Sequence, residues 1–171
     1  GLAIMEERKL PPGPGSPTRE YWRNARLRFR HTLDFRNVRR FCLFAGYPRS
    51  GHSMIGAMLN AHPGIVIAHE AHVPNLIEEG LGRSSFYARI LREDQIFQSR
   101  GNKGIYEFAI PNQWQGRFET LQVIGDKRGG AVTRLLAKDP ELLEKIRELT
   151  GVPLRLIHAI RNPFDNISAI S

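Results

Sequence analysis

Sulfur is scarce in this chain, and Cys42 is the only cysteine among its 171 residues. A single thiol excludes an intrachain disulfide and makes an all-cysteine zinc site impossible. Its neighbours Phe41, Leu43 and Phe44 are apolar, so Cys42 is expected to pack as a small buried hydrophobe rather than to act as a nucleophile. Long apolar runs are missing too. No stretch approaches the roughly 18 uninterrupted apolar residues that a bilayer crossing needs, and Gly1-Leu2-Ala3-Ile4-Met5 is too short for the core of a signal peptide. A soluble chain without a transmembrane segment, located in the cytoplasm, is therefore expected. No internal repeat is present. The balance of 41% apolar to 25% charged residues excludes a disordered chain, and a folded chain of this length can bury roughly 70% of its unfolded surface.

Acidic residues are the minority charge, 17 against 25 Lys and Arg, for a net charge of +8. The excess is concentrated at one end. Residues 1–40 carry ten basic side chains (Arg8, Lys9, Arg19, Arg23, Arg26, Arg28, Arg30, Arg36, Arg39, Arg40) against Glu6, Glu7, Glu20 and Asp34, which is +6 of the +8. Such a leader suits an anionic ligand, an acidic membrane or nucleic acid, but charge runs specify no partner by themselves. A basic module binding nucleic acid through residues 19–40, with Tyr21, Trp22 and Phe29 for stacking, is one alternative reading; no specific nucleic acid is expected in the main one.

The punctuation of the chain divides it. Pro11-Pro12-Gly13-Pro14-Gly15-Ser16-Pro17 can continue neither a helix nor a central strand, so residues 1–40 read as an irregular arm followed by a basic helix over 18–35. The run from Phe41 to Ala45 is continuously apolar, as in a strand buried on both faces. Met54, Ile55, Met58 and Leu59 then recur at helical spacing up to His62-Pro63-Gly64, where His62 reads as a turn residue. Further strands are expected at residues 65–68, 105–110, 121–125 and 154–160, and a mostly helical stretch over 71–100 with a break at 78–82. Residues 111–116 suit a surface loop, and helices are expected from about Ala131 and from Asp139-Pro140, the latter with Asp139 as N-cap and Gly151 as its stop. Strands and helices in alternation imply an α/β fold, a parallel sheet with helices on its faces and ligands at the carboxyl ends of its strands.

One turn carries most of the chemical information. Gly46-Tyr47-Pro48-Arg49-Ser50-Gly51-His52-Ser53 has the G-x-x-x-x-G spacing of a phosphate-binding loop between a strand and a helix. Such a loop wraps backbone N–H groups around an anion at the positive end of the helix, with Gly51 permitting close approach and Ser53 adding a hydroxyl donor. An ATP-hydrolysing loop has Lys and then Ser or Thr after its second glycine. Here His52-Ser53 stand there instead, and the fixed cation is Arg49. Without that Lys, Mg-nucleoside triphosphate chemistry is disfavoured. A P-loop kinase or ATPase in which Asp126, at the end of Val123-Ile124-Gly125-Asp126, holds Mg²⁺ stays as a second alternative. His69-Glu70-Ala71-His72 does not match a zinc protease motif, whose two histidines stand four apart on a helix.

The segment Pro48-Arg49-Ser50-Gly51-His52-Ser53 resembles the first loop of the PAPS-dependent sulfotransferases. The resemblance continues through Met58-Leu59-Asn60-Ala61-His62-Pro63 to Glu70, and recurs at Gly125-Asp126-Lys127 and Ile157-His158-Ala159-Ile160-Arg161-Asn162-Pro163-Phe164-Asp165. It is similar above all to tyrosylprotein sulfotransferases and bacterial sulfotransferase-like proteins, and covers residues 41–171.

What the resemblance implies is a three-layer P-loop-type fold that moves a sulfuryl group from PAPS, 3′-phosphoadenosine 5′-phosphosulfate, to an acceptor hydroxyl without a metal. Arg49, Ser50, Gly51, His52 and Ser53 would hold the 5′-phosphosulfate, and Arg161 with Ser168 the 3′-phosphate. Ser168 lies one residue short of the family spacing, where Ala169 falls, and Ser171 is a further choice. Arg49 and Lys127 would stabilise the leaving oxygen, and Glu70 would act as general base. The acceptor, a hydroxyl-bearing small molecule, glycan or peptide, is left open. Members of the family are generally longer, so the match implies a core incomplete at its carboxyl end.

Overall fold

The computed structural model of the chain describes residues 35–99 and 112–168. Residues 1–34 of the basic leader, with nearly all of the predicted helix over 18–35, and the predicted strand 105–110 lie outside the described residues. The rest alternates as the apolar pattern anticipates: β1 (Arg40–Gly46), α1 (His52–Asn60), β2 (Ile65–His69), α2 (Val73–Glu78), α3 (Arg83–Ser99), β3 (Val123–Lys127), α4 (Gly129–Lys138), α5 (Leu142–Thr150), β4 (Leu154–Ala159) and α6 (Pro163–Ser168). Among the described residues all the strand pairs are parallel, in the order β2-β3-β1-β4.

The unbroken apolar run of β1 has its cause in this order. With β3 on one side and β4 on the other, β1 is central, and helices cover both of its faces. Phe41 and Leu43 point to a cluster with Val66, Ala68 and Ile124 of the sheet and with Leu76, Phe86, Tyr87, Ile90, Leu91, Val132, Leu142 and Ile146 from α2 to α5. Cys42 and Phe44 point the other way and pack with Ile67 against Ile55 and Leu59 of α1. A strand buried on both faces cannot show polar alternation. Phe35, Phe41, Phe86 and Tyr87 meet ring to ring at 5.5–6.5 Å, and each fully buried ring contributes roughly 1.5–3 kcal/mol by leaving water.

Several boundaries differ from the expectation. The strand expected at 121–125 runs Val123–Lys127, the strand expected at 154–160 ends at Ala159, and the helix after β3 starts at Gly129, two residues before Ala131. The helix predicted from Asp139-Pro140 starts at Leu142 instead. The N-cap position is Glu141 rather than Asp139, which instead forms the preceding turn: its Oδ1 accepts the Glu141 N–H at 3.1 Å and its carbonyl the Leu142 N–H at 3.2 Å. Gly151 closes the helix with φ 62°, as its position predicts.

Strand order also locates the cleft. The chain leaves β1 to form β2, two places to one side, and leaves β3 to form β4, two places to the other. Loops that diverge in this way open a crevice at the carboxyl ends of β1 and its neighbours. Beyond β1, β4 is the outermost strand among the described residues, and Leu156, Ile160, Phe164 and Ile167 there are exposed.

Candidate functional site

The crevice is a cleft of about 700 Å³ lined by Arg49, Gly51, His52 and Ser53 after β1, His69 and Glu70 after β2, Lys127 to Ala131 after β3, and Arg161 after β4. That volume is ordinary for a small-molecule site. Arg134 from α4 also faces it, so among the described residues five cations, Arg49, Lys127, Arg128, Arg134 and Arg161, share the cleft with one carboxylate, Glu70. This donor set fits a ligand carrying several negative charges.

The loop bends through left-handed residues, Arg49 at φ 64° and Gly51 at φ 91°. Gly51 precedes α1 without a side-chain cap, which leaves the first-turn N–H groups of the helix for a ligand. Glu70 (φ 67°) and His72 (φ 58°) are left-handed as well. Non-glycine residues adopt this conformation at a cost of about 1–3 kcal/mol, and it recurs where function holds a side chain in place.

His52 does not offer its side chain as the hydroxyl residue of a phosphate loop would. Its ring is buried beneath the loop, edge-on to Phe44, and Nε2–H donates to the Ala45 carbonyl at 3.0 Å. Burial outweighs that carbonyl and keeps the imidazole below its ordinary pKa, hence neutral at pH 7. Gly129 makes room for it, because a Cβ there would lie 2.4 Å from Nε2. Thr133 ties α4 to the same spot by accepting the Gly46 N–H at 2.8 Å. Ser50 is turned away as well: it is buried, it is not among the cleft-lining residues, and its Oγ accepts from Asn166 Nδ2 at 3.3 Å.

Lys127 and Glu70 meet at 3.2 Å, with the ammonium nearly buried and the carboxylate half exposed. Desolvation pulls Lys127 below its ordinary pKa in spite of Glu70. For Glu70, burial alone would raise the carboxyl, but the Lys127 charge and hydrogen bond, with smaller help from His69 and Arg128, hold it below the usual range. It is therefore ionised at neutral pH and able to accept a proton. Lys127 also donates to His69 Nε2 at 3.2 Å, which places the ring proton on Nδ1. Burial, and then the Lys127 charge, push His69 down to about 4, and its ring stacks on Phe97 at 4.1 Å. Arg128 hydrogen-bonds His72 Nδ1 at the rim.

Arg161 Nη1 donates to the Arg49 carbonyl at 3.3 Å, so the guanidinium after β4 reaches the loop after β1. Ser168 ends α6, is exposed and does not line the cleft, and Ser171 lies outside the described residues. Asp126 is fully buried, with Oδ1 accepting the Ala71 N–H at 2.8 Å and Oδ2 the Val73 N–H at 3.4 Å. Burial raises it to about 6, and it faces the β2–α2 connection and does not line the cleft. Cys42 is buried and its thiol is pushed up to about 11 by desolvation, as an inert packing residue requires. His62 Nδ1 accepts the Gly64 N–H at 2.9 Å within its turn.

Several cleft residues carry no sequence signal of their own. Arg128 and Arg134 were discoverable only as basic residues following a strand end, and His69 only as a neighbour of Glu70. Asn60, at the far end of α1, proves to be a hub: its Oδ1 accepts the Ile67 N–H at 2.6 Å, while Nδ2 donates to the Ile67 carbonyl and to Asp94 Oδ1, each at 3.0 Å. One side chain thus fixes the helix that follows the loop to the strand that precedes Glu70.

No protein-family model matches the chain, and no curated protein matches it.

Proposed function

We propose that the chain binds PAPS in this cleft and passes its sulfuryl group to an acceptor hydroxyl. One observation supports the reading above others: guanidinium groups from the ends of β1 and β4 share a single cleft, with Arg161 bonded to the backbone of Arg49. Fork-shaped, permanently charged donors suit phosphate oxygens, and two sets of them suit a nucleotide phosphorylated at both ends. The first-turn amides of α1 and Arg49 receive the 5′-phosphosulfate, and Arg161 receives the 3′-phosphate.

In the reaction, the acceptor oxygen bonds to sulfur as the bond from sulfur to the phosphate oxygen breaks, and the electron pair leaves with adenosine 3′,5′-bisphosphate. Glu70 takes the acceptor proton. Arg49 and Lys127 stabilise the charge that grows on the leaving oxygen, without solvent reorganisation, because both are already in place. A sulfuryl group carries one negative charge, less than a γ-phosphoryl, so fixed cations are enough to neutralise it. Lys127 has a second role: its charge keeps Glu70 ionised before the acceptor arrives.

Calorimetry with adenosine 3′,5′-bisphosphate and with Mg-ATP tests the proposal. Metal-free binding of the bisphosphate, weakened at least tenfold by Arg49→Ala and by Arg161→Ala, is the expected result. A preference for Mg-ATP, or indifference to both substitutions, overturns it.

A further inference from the structure

Helix α6 has only six residues and none of them is buried, so burial does little to hold it in place. It is nevertheless tied to the loop after β1 by Asn166 Nδ2, which donates to Ser50 Oγ, and Arg161, two residues before the helix, adds a second tie through Nη1 to the Arg49 carbonyl, both at 3.3 Å. Asn162 starts the helix by accepting the Phe164 N–H at 3.0 Å, which orients the turn that carries Asn166. The loop needs an external hold at Arg49, a non-glycine residue in left-handed backbone at φ 64°. Asn166 meets that need at a cost: its Oδ1 is buried and accepts no hydrogen bond among the described residues. The Asn166 amide is therefore committed through its N–H, and the contact that it makes is the one to Ser50 on the loop.

We infer that Asn166 is a positioning residue of the anion-binding loop. Its N–H, donated to Ser50 Oγ, clasps the loop against α6 and keeps the backbone N–H groups at residues 51–53 aimed into the cleft. The ligand never meets Asn166, nor does it meet the Ser50 hydroxyl; both act through the backbone. The inference rests on the anion-binding reading of the cleft and adds to it the element that preorganises the loop. Preorganisation of this kind strengthens binding by removing the ordering cost of the free loop.

The test combines calorimetry with adenosine 3′,5′-bisphosphate and hydrogen exchange of the loop amides, on the unsubstituted chain, Asn166→Ala, Ser50→Ala and the double variant. Asn166→Ala should weaken binding about tenfold, equivalent to about 1.4 kcal/mol, and speed exchange at residues 49–53 while the unfolding midpoint stays in place. Ser50→Ala should match it, and the double variant should lose no more than either single change, because all three break the same bond. Asn166→Asp, which can accept the Ser50 O–H, should restore slow exchange even though its charge disfavours the anion. Additive losses, or unchanged affinity and exchange in Asn166→Ala, refute the clasp while leaving the anion site standing. Absence of bisphosphate binding by the unsubstituted chain overturns the anion site and the clasp together.

Discussion

Replacing Asn60 by Ala tests how the two halves of the cleft are held in register. The side chain makes three hydrogen bonds of 2.6, 3.0 and 3.0 Å, two of them to the backbone of Ile67, and both residues are almost fully buried. Each bond contributes about 1 kcal/mol net, and the Ile67 N–H and C=O would be left buried without partners, so the expected loss is about 3–5 kcal/mol. For a chain of this size that corresponds to a fall in unfolding midpoint of roughly 10 °C. Denaturant unfolding followed by circular dichroism gives the free energy directly. Because α1 carries the loop at one end and Asn60 at the other, affinity for adenosine 3′,5′-bisphosphate should fall in parallel with stability. A loss under about 1 kcal/mol would show that water or Asp94 replaces the amide, and that Asn60 does not couple α1 to β2.

Three further outcomes follow from the same geometry. Gly129→Ala would place a Cβ 2.4 Å from His52 Nε2 and should cost about 1–3 kcal/mol by overpacking, most of it relieved when His52→Ala is added; equal costs in both backgrounds would refute the contact. Burial lifts Asp94 to about 7 from an ordinary 3.8, so the folded state holds a proton that the unfolded state has released, and stability from this group is lost as pH rises from about 4 through 7. Asp94→Asn should therefore shrink the stability difference between pH 5 and pH 8 by about 2 kcal/mol, a change that denaturant unfolding at the two pH values detects. Lys127→Met removes the charge that depresses Glu70, so the Glu70 carboxyl should titrate at higher pH by NMR and the stability that it adds above the ordinary carboxylate range should disappear; an unmoved titration would refute the pairing.

Much of the architecture was legible because apolar periodicity reports burial directly. Phe41 to Ala45 read as a doubly buried strand, and it lies in the interior of the sheet between β3 and β4. Gly151 read as a helix stop, and the Gly46–Gly51 spacing as a strand-to-helix turn. The site was legible only in part. Arg49, Glu70, Lys127 and Arg161 follow strand ends, where a parallel sheet brings distant loops together, and they do share one cleft. The orientations of the loop side chains were not readable. His52 turns inward because Ala45 offers a carbonyl and Gly129 leaves space, and Ser50 turns aside because Asn166 meets it across 116 positions of sequence.

The amino-acid order alone indicated the described strands and helices to within a few residues and that cationic side chains stand at the ends of strands, since these depend on neighbours a few positions away. Tertiary structure decided the order β2-β3-β1-β4, the burial of Asp126 against the β2–α2 backbone and the hub at Asn60. Those outcomes depend on which distant backbone group meets each polar atom once water is excluded, and no local pattern encodes that partner.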